Sequence, residues 1–302
     1  MIHKTLVAIP IYNLRNSELV DFFRTCEPEK INNFDIVLFS SHNDLNDYSY
    51  IPNNNVKLES IFIPDDIIEV NIIGYKRQQI LEYARKNNYT YCVMIDDDIR
   101  VNTAMITKES KRTTSNSYRH IKINIIDNIN KMINTIQEYD ATFCSCNYLM
   151  YLSFSEPGLV KINERINCMQ FYMFRVNDIF ENNIKYTLEE ELNEDIDIVL
   201  QILQHGLKCV TIMDYAFSEN KKDSTIFKNE RHRESIHIGT FKKWHTTLYL
   251  DKHGIIRTKM KWNKYFNTYE LPKLNKFQQE VLELVENNEP YEVIYNKLLN
   301  KK

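Results

Sequence analysis

The chain has 302 residues, a formal net charge of -3, 43% hydrophobic residues and 12% aromatic residues. That is enough apolar material to bury one large α/β core, with or without an appendage, and it excludes a disordered chain and a uniformly basic nucleic-acid coat. The five glycines, at 74, 158, 206, 239 and 254, cannot build a glycine-rich phosphate loop, so a P-loop and a dinucleotide fingerprint are excluded too.

Thr5 to Pro10 reads as a first strand, and Ser17 to Phe23 as a helix with Asn16 as its cap. Phe34 to Phe39 is a second strand, followed by a polar loop from Ser40 to Tyr50, and Val56 to Ile63 is a third strand. Gly74 opens a helix through Arg85, with Ile80, Leu81 and Ala84 as its apolar stripe. That helix leads into Tyr91-Cys92-Val93-Met94-Ile95-Asp96-Asp97-Asp98-Ile99, an apolar run that ends in three consecutive carboxylates. The β-α-β-β-α-β order predicts a three-layer α/β sandwich with a largely parallel sheet. Ligands of such sheets collect beyond the carboxyl ends of the strands, so Pro10 to Arg15 and Asp96 to Asp98 are expected to share one cleft.

If the strand continues through the triplet, alternation places Asp96 and Asp98 on one side and Asp97 on the other. Two carboxylates at a strand end suit Mg2+ or Mn2+ with ligand positions left open, which a diphosphate can fill. A solvated turn after a strand is the plainer reading of the same residues.

Asn102 to Tyr118 is polar and reads as a mobile loop over the cleft. Ile121 to Ile136 has helical spacing, and Ala141 to Cys146, Cys168 to Val176 and Lys208 to Tyr215 read as strands. Between the last two, Asn193-Glu194-Asp195-Ile196-Asp197 opens a helix whose face is Ile196, Val199, Leu200 and Leu203, with Gly206 as terminator. Acids in a first turn favour the helix dipole, which by itself accounts for Glu194, Asp195 and Asp197. The functional alternative makes one of them a general base facing the cleft.

From Glu219 to Phe266 there are 12 lysines and arginines against five acids, a net of +7 in a chain of net -3. Trp244, Tyr249, Trp262, Tyr265 and Phe266 are interleaved with them, a pattern that suits phosphates and stacked bases. The alternative is a β-rich subdomain with its tryptophans in the core. His232 and His237 read as surface residues. Leu271 to Lys302 reads as two short helices, docked on the main domain or forming a dimer contact.

The six cysteines have no CxxC spacing; Cys92, Cys144 and Cys146 read as small, reduced core residues. No signal peptide is legible at the start, and no stretch approaches the roughly 20 apolar residues needed to cross a bilayer. A soluble, cytoplasmic protein without membrane contact is expected.

Four features fall in order: Ile9-Pro10-Ile11-Tyr12-Asn13-Leu14-Arg15, then Gly74-x-x-Arg77, then Ile95-Asp96-Asp97-Asp98-Ile99, then Asn193-Glu194-Asp195-Ile196-Asp197. In this the chain resembles nucleotide-sugar glycosyltransferases of the GT-A fold. It looks most like the TET/JBP-associated glycosyltransferases of phages and kinetoplastids, which add sugars to hydroxymethylated pyrimidines in DNA. Arg257 to Tyr265 resembles that group's basic, aromatic ending.

The resemblance implies a GT-A (Rossmann-like) domain over residues 1–266 with a helical tail over 267–302. It implies a UDP-sugar donor, UDP-glucose, held by Pro10, Tyr12, Arg15, Gly74, Arg77, Asp96 and Asp97, and Mn2+ or Mg2+ on Asp96 and Asp98. Arg15 reads equally well as a surface arginine. Asp195 is the expected base, with Glu194 next. The implied acceptor is 5-hydroxymethylpyrimidine in DNA, held by Lys242, Lys243, Arg257, Lys259, Lys261, Trp262 and Lys264, in a host cytoplasm if the gene is a phage's. A saccharide or lipid acceptor on the same fold is the alternative, and a non-catalytic DNA-binding module is the alternative from another class.

Overall fold

Strands Thr5–Pro10 and Tyr91–Ile95 are buried at every position, and strands this apolar persist only where both sheet faces are covered. They lie side by side in the middle of one sheet. The computed structural model describes residues 4–11, 17–41, 55–67, 72–108, 112–114, 117–118, 120–152, 155–164, 170–188, 193–219, 230–259 and 271–301, without the side chains of 112–118 and 230–236.

The N-terminal half contains β1 (Thr5–Pro10), α1 (Glu18–Thr25), α2 (Pro28–Ile31), β2 (Phe34–Ser41), β3 (Val56–Ile61), α3 (Ile72–Lys86) and β4 (Tyr91–Ile95). Next come β5 (Asn102–Met105), β6 (Arg112–Thr114), β7 (Ser117–Tyr118), β8 (Ile121–Asn124), α4 (Ile125–Tyr139), β9 (Phe143–Tyr148), α5 (Leu149–Leu152) and β10 (Val160–Ile162). β11 (Phe171–Arg175), α6 (Val176–Glu181), α7 (Glu194–Gln204) and β12 (Cys209–Phe217) complete the sheet and its cover. α8 (Glu230–Trp244), β13 (Thr247–Leu250), β14 (Ile256–Lys259), α9 (Lys276–Glu286) and α10 (Tyr291–Leu299) follow.

The large sheet has the order β3-β2-β1-β4-β11-β9-β12-β5-β8, with β10 added to β12. β3, β2, β1 and β4 are mutually parallel. β11 is antiparallel to both β4 and β9, and β9 is parallel to β12. Six of the seven strands from β3 to β12 therefore point one way, and β1, β4 and β12 all release the chain at the same edge. Helices cover both faces: α1 and α4 pack over one apolar layer that includes Leu19, Phe23, Ile129 and Met132. α3 and α7 pack over the other, with Ile80, Leu81, Val199 and Ile202. The α/β architecture expected from the strand–helix pattern is the one found.

Several local expectations need correction. α1 is capped by Ser17, whose hydroxyl accepts from Val20 N at 3.3 Å; Asn16 lies outside the described residues. Ile121 to Ile136 is not one helix. Asn124 and Asp127 form a reciprocal capping box that starts α4 at Ile125, and the preceding residues pair with β5 as β8. Asn102 to Tyr118 is not a plain loop either, because β5 is held between β12 and β8 and β6 pairs with β7. The basic segment is a long helix and a hairpin, α8 and β13–β14, rather than a β-rich unit. Ile238, Phe241, Leu248 and Ile256 from it form a separate apolar cluster with Val281, Val285, Ile294 and Leu298 of α9 and α10. The two tail helices are thus docked on α8 and the hairpin, while Val293 and Leu299 are exposed. No helix among the described residues is long and apolar enough to cross a membrane.

Candidate active site

β4 stops at Ile95, its last residue paired with β11. Asp96 N still donates to Gln170 O at 2.8 Å, and Ile99 N then donates to Asp96 O at 3.2 Å, closing a turn. Strand alternation therefore does not extend through Asp97 and Asp98, and the expected reason for Asp96 and Asp98 sharing a side fails. What holds the triplet is tertiary. Ser17 Oγ, while capping α1, donates to Asp97 O at 2.8 Å, and Ile99 forms a bridge with Glu219 just beyond β12.

Arg77 is the centre of the site. It sits one turn into α3, is 4% exposed, and reaches two acids from distant parts of the chain. One terminal nitrogen donates to Glu194 Oε1 at 2.6 Å, the other to Asp96 Oδ1 and Oδ2 at 3.1 and 3.4 Å. Its guanidinium also lies 5.6 Å from the centre of the Tyr172 ring. Such forked, charge-assisted bonds fix geometry as well as charge. Gly74 packs against the junction: a Cβ there would meet Glu194 Cβ at 3.4 Å, which leaves room for a methyl group but not for a larger side chain. Gly74→Ala is accordingly expected to fold with an unchanged or higher melting temperature, because 3.4 Å is ordinary contact and alanine gains about 1 kcal/mol of helix propensity. Gly74→Leu should lower it by driving Glu194 off Arg77; equal melting of both variants would contradict the close approach.

Neighbouring Lys76, 3% exposed, donates from Nζ to Ile11 O at 3.1 Å just after β1. Sequence reading missed it, and a cation beside Arg77 on a helix gives no local signal of that role. Glu219 was missed as a site residue as well, although it was legible in principle: β12 runs parallel to β4, so its exit had to come to the same edge. The Tyr148 hydroxyl hydrogen-bonds Glu219.

The electrostatics single out Asp98. Its Oδ1 is buried with no hydrogen-bond partner among the described residues. Burial first, then Asp96, Asp97 and Glu219, push its carboxyl up to about 7. Burial also raises Asp96, partly offset by Arg77 and reinforced by Glu219. A buried acceptor oxygen without a donor, in a field of like charge, fits a divalent cation, which would supply the missing positive charge. Among the described residues no three His, Cys, Asp or Glu side chains converge to hold a cation unaided. A cation at Asp98 and Asp96 would need further ligands from water or phosphate oxygens.

α7 brings the second acid pair. Glu194 is committed to Arg77. Asp195 Oδ1 accepts from Ile196 N at 2.7 Å, its one hydrogen bond among the described residues. Asn193 N and Nδ2 donate to Thr240 Oγ1 of α8 at 3.2 and 3.1 Å, so α8 holds the start of α7. Asp197 is fully buried and is not a site acid. It accepts from Thr187 Oγ1 at 2.6 Å, Gln201 Nε2 at 2.8 Å and Trp244 Nε1 at 2.8 Å, and pairs with Lys243 Nζ at 3.0 Å.

That hub takes up part of the basic segment. Lys243 is turned inward to Asp197, and Trp244 is core. Arg257 is engaged by Asp251 Oδ2 at 3.3 Å and lies 3.4 Å from His237 Nε2. His237 is not a surface residue. It is partly buried between Asn193 and Thr258, and burial, then Arg257, lowers its pKa to about 4. Lys242 and Lys259 are exposed. Pro10 is buried at the end of β1. Tyr12, Arg15, Lys261, Trp262 and Lys264 lie outside the described residues. Cys92, Cys144 and Cys146 are buried free thiols, as expected.

The family profile described as TET-Associated Glycosyltransferase matches residues 33–229, well over half of the 302. The chain belongs to this family. The match runs from just before β2 to the start of α8, so this TET-associated glycosyltransferase carries Arg77, the acidic turn, α7 and Glu219 inside it, and β1 and the C-terminal cluster outside it. No curated protein matches the chain. Among solved structures it is similar to S. aureus TarS 1-349, with 14% identity, TM-score 0.47 and coverage of 77% of this chain and 70% of that one. The complex of TarS 1-349 with UDP-GlcNAc gives 12% identity and TM-score 0.48 over 78% of this chain and 64% of that one. The mannosyltransferase PcManGT of Pyrobaculum calidifontis, in complex with GDP-Man and Mn2+, gives 10% identity and TM-score 0.49 over 80% and 63%.

Proposed function

We propose that this glycosyltransferase moves glucose from UDP-glucose to the hydroxyl of 5-hydroxymethylpyrimidine in DNA, with Mn2+ or Mg2+ at the acidic turn. The observation that carries the reading is Arg77, which ties the acidic turn to the acid pair of α7. It joins a place suited to a departing diphosphate to a place suited to proton removal. Glycosyl transfer breaks the C1–oxygen bond to the diphosphate, so negative charge builds on the leaving group and must be stabilised. A bound cation supplies that stabilisation; Asp98, with Asp96, would hold it. Arg77 keeps Asp96 and Glu194 in place, and Asp195, without an ion pair among the described residues, takes the proton of the attacking hydroxyl. Pro10, Tyr12, Arg15 and Asp97 complete the donor side in this reading, and Lys242, Lys259, Lys261, Trp262 and Lys264 contribute to the acceptor side.

The test is direct. Purified protein is incubated with a panel of UDP-sugars and with unmodified or hydroxymethylated DNA, and the digested nucleosides are weighed by mass spectrometry. A mass gain of one hexose on the hydroxymethylated nucleoside is expected with UDP-glucose. A saccharide acceptor is the second reading, favoured by the inward commitment of Lys243 and Arg257, which weakens the C-terminal basic surface. The metal assignment is tested separately: Asp98→Asn should abolish cation-stimulated UDP-glucose hydrolysis without lowering the melting temperature. Full activity of that variant in chelator would remove the cation from the proposal.

A further inference from the structure

Toward the β5–β8 edge of the sheet, a cleft of about 270 Å³ opens beside the acidic turn, lined by Glu18, Arg100, His120, Lys122, Leu149 and Ser218 among others. Its position relative to the proposed chemistry is fixed from three sides. Arg100 is the second residue after Asp98, and its N–H donates to Ser218 O at 2.9 Å. Ser218 precedes Glu219, which bridges Ile99. Glu18 follows Ser17, whose hydroxyl holds Asp97 O.

The cleft brings two permanent cations and a histidine against one acid. The side chains of Arg100, His120 and Lys122 make no hydrogen bond or ion pair among the described residues. Cations left unpaired around a concave surface are available to an anion. Lys243 and Arg257, by contrast, are already spent on Asp197 and Asp251. Leu149 of α5 lines the cleft with Arg100, His120 and Lys122. Cations in a groove beside the acidic turn can neutralise the phosphates that flank an acceptor base in a nucleic-acid strand.

We infer that this cleft holds the phosphodiester backbone of the acceptor strand, with Arg100 and Lys122 on phosphates and His120 as a further donor. The inference rests on the DNA-acceptor reading and relocates its main phosphate contacts from the C-terminal segment to the edge of the acidic turn. The donor's diphosphate is the other possible source of phosphate. Its place in the proposed reaction is at Asp96, Asp98 and Arg77, none of which lines the cleft.

The experiment measures binding of a hydroxymethylcytosine-containing duplex at several salt concentrations, and of UDP-glucose without DNA. Arg100→Ala with Lys122→Ala should lower the log–log salt slope by about 1.8, since each lost phosphate contact removes about 0.9, and leave UDP-glucose affinity unchanged. Arg100→Lys with Lys122→Arg should keep the slope, because charge is retained. Arg100→Gln with Lys122→Gln replaces the alanine pair should that pair fail to fold. An unchanged slope with DNA still bound overturns the cleft and leaves the acceptor reading standing. Weakened UDP-glucose binding with an unchanged slope hands the cleft to the donor and overturns the inference. Binding of UDP-glucose but of no DNA by the unaltered protein removes the acceptor reading and the cleft together.

Discussion

Asp195→Asn is expected to lower sugar transfer by about 10²–10⁴-fold, the range a positioned general base contributes, with UDP-glucose affinity unchanged. Deprotonation of the acceptor matters only in the transition state, so kcat should fall and donor binding should not. The same substitution has a stability signature with a defined sign. Burial first, then Glu194, push the Asp195 carboxyl up to about 7, with Arg77 pulling the other way. Between the ordinary carboxylate pKa of about 4 and that raised value, the folded protein keeps a proton that the unfolded chain has released. Stability contributed by this group is therefore complete below about pH 4 and lost as pH rises through about 7. Asp195→Asn removes the dependence, so the variant should melt higher than the parent at about pH 8 and equally at about pH 4. Normal turnover would move the base elsewhere. A parent–variant difference independent of pH would contradict the buried, proton-holding carboxyl.

Asp197→Ala should be the most destabilising single change, costing about 3–5 kcal/mol, the range for removing one partner of a buried ion pair. The loss leaves the Lys243 ammonium, the Trp244 indole N–H and the Thr187 hydroxyl without their shared acceptor. Trp244→Phe, which removes one of these donors but keeps most of the ring, should cost about 1–3 kcal/mol. Urea unfolding checks both, through a lower midpoint at an unchanged slope. A cost below about 1 kcal/mol for Asp197→Ala would mean that the hub does not carry the junction of α7 and α8. Because Asn193 of the same helix start is held by Thr240, loosening this junction should also slow turnover through misplacement of Asp195.

The C-terminal helices, strands β1 to β4, β9, β11 and β12, and the edge where the site forms were legible in the amino-acid order. Apolar runs at 5–10 and 91–95, capping patterns and the Gly206 terminator act over a few residues, and no distant contact is needed to read them. Where local signals compete, the reading failed. Helical spacing from Ile121 was overridden by the capping box at Asn124, and the alternation drawn through Asp96 to Asp98 was cut short by a turn.

The acidic turn and the acids of α7 could be named as candidates because residue type and spacing alone suggest their chemistry. Their partners could not. Arg77 meets Glu194 across 117 residues and Asp96 across 19, and Asp197 meets Trp244 across 47. Such pairings depend on which helix faces which once the sheet has formed. For that reason sequence reading could not tell Asp197, a buried anchor, from Asp195 two residues before it, nor Lys243, turned inward, from exposed Lys242. The charge of each residue was set by the sequence; only tertiary packing decided whether that charge faces a neighbour, a ligand or water.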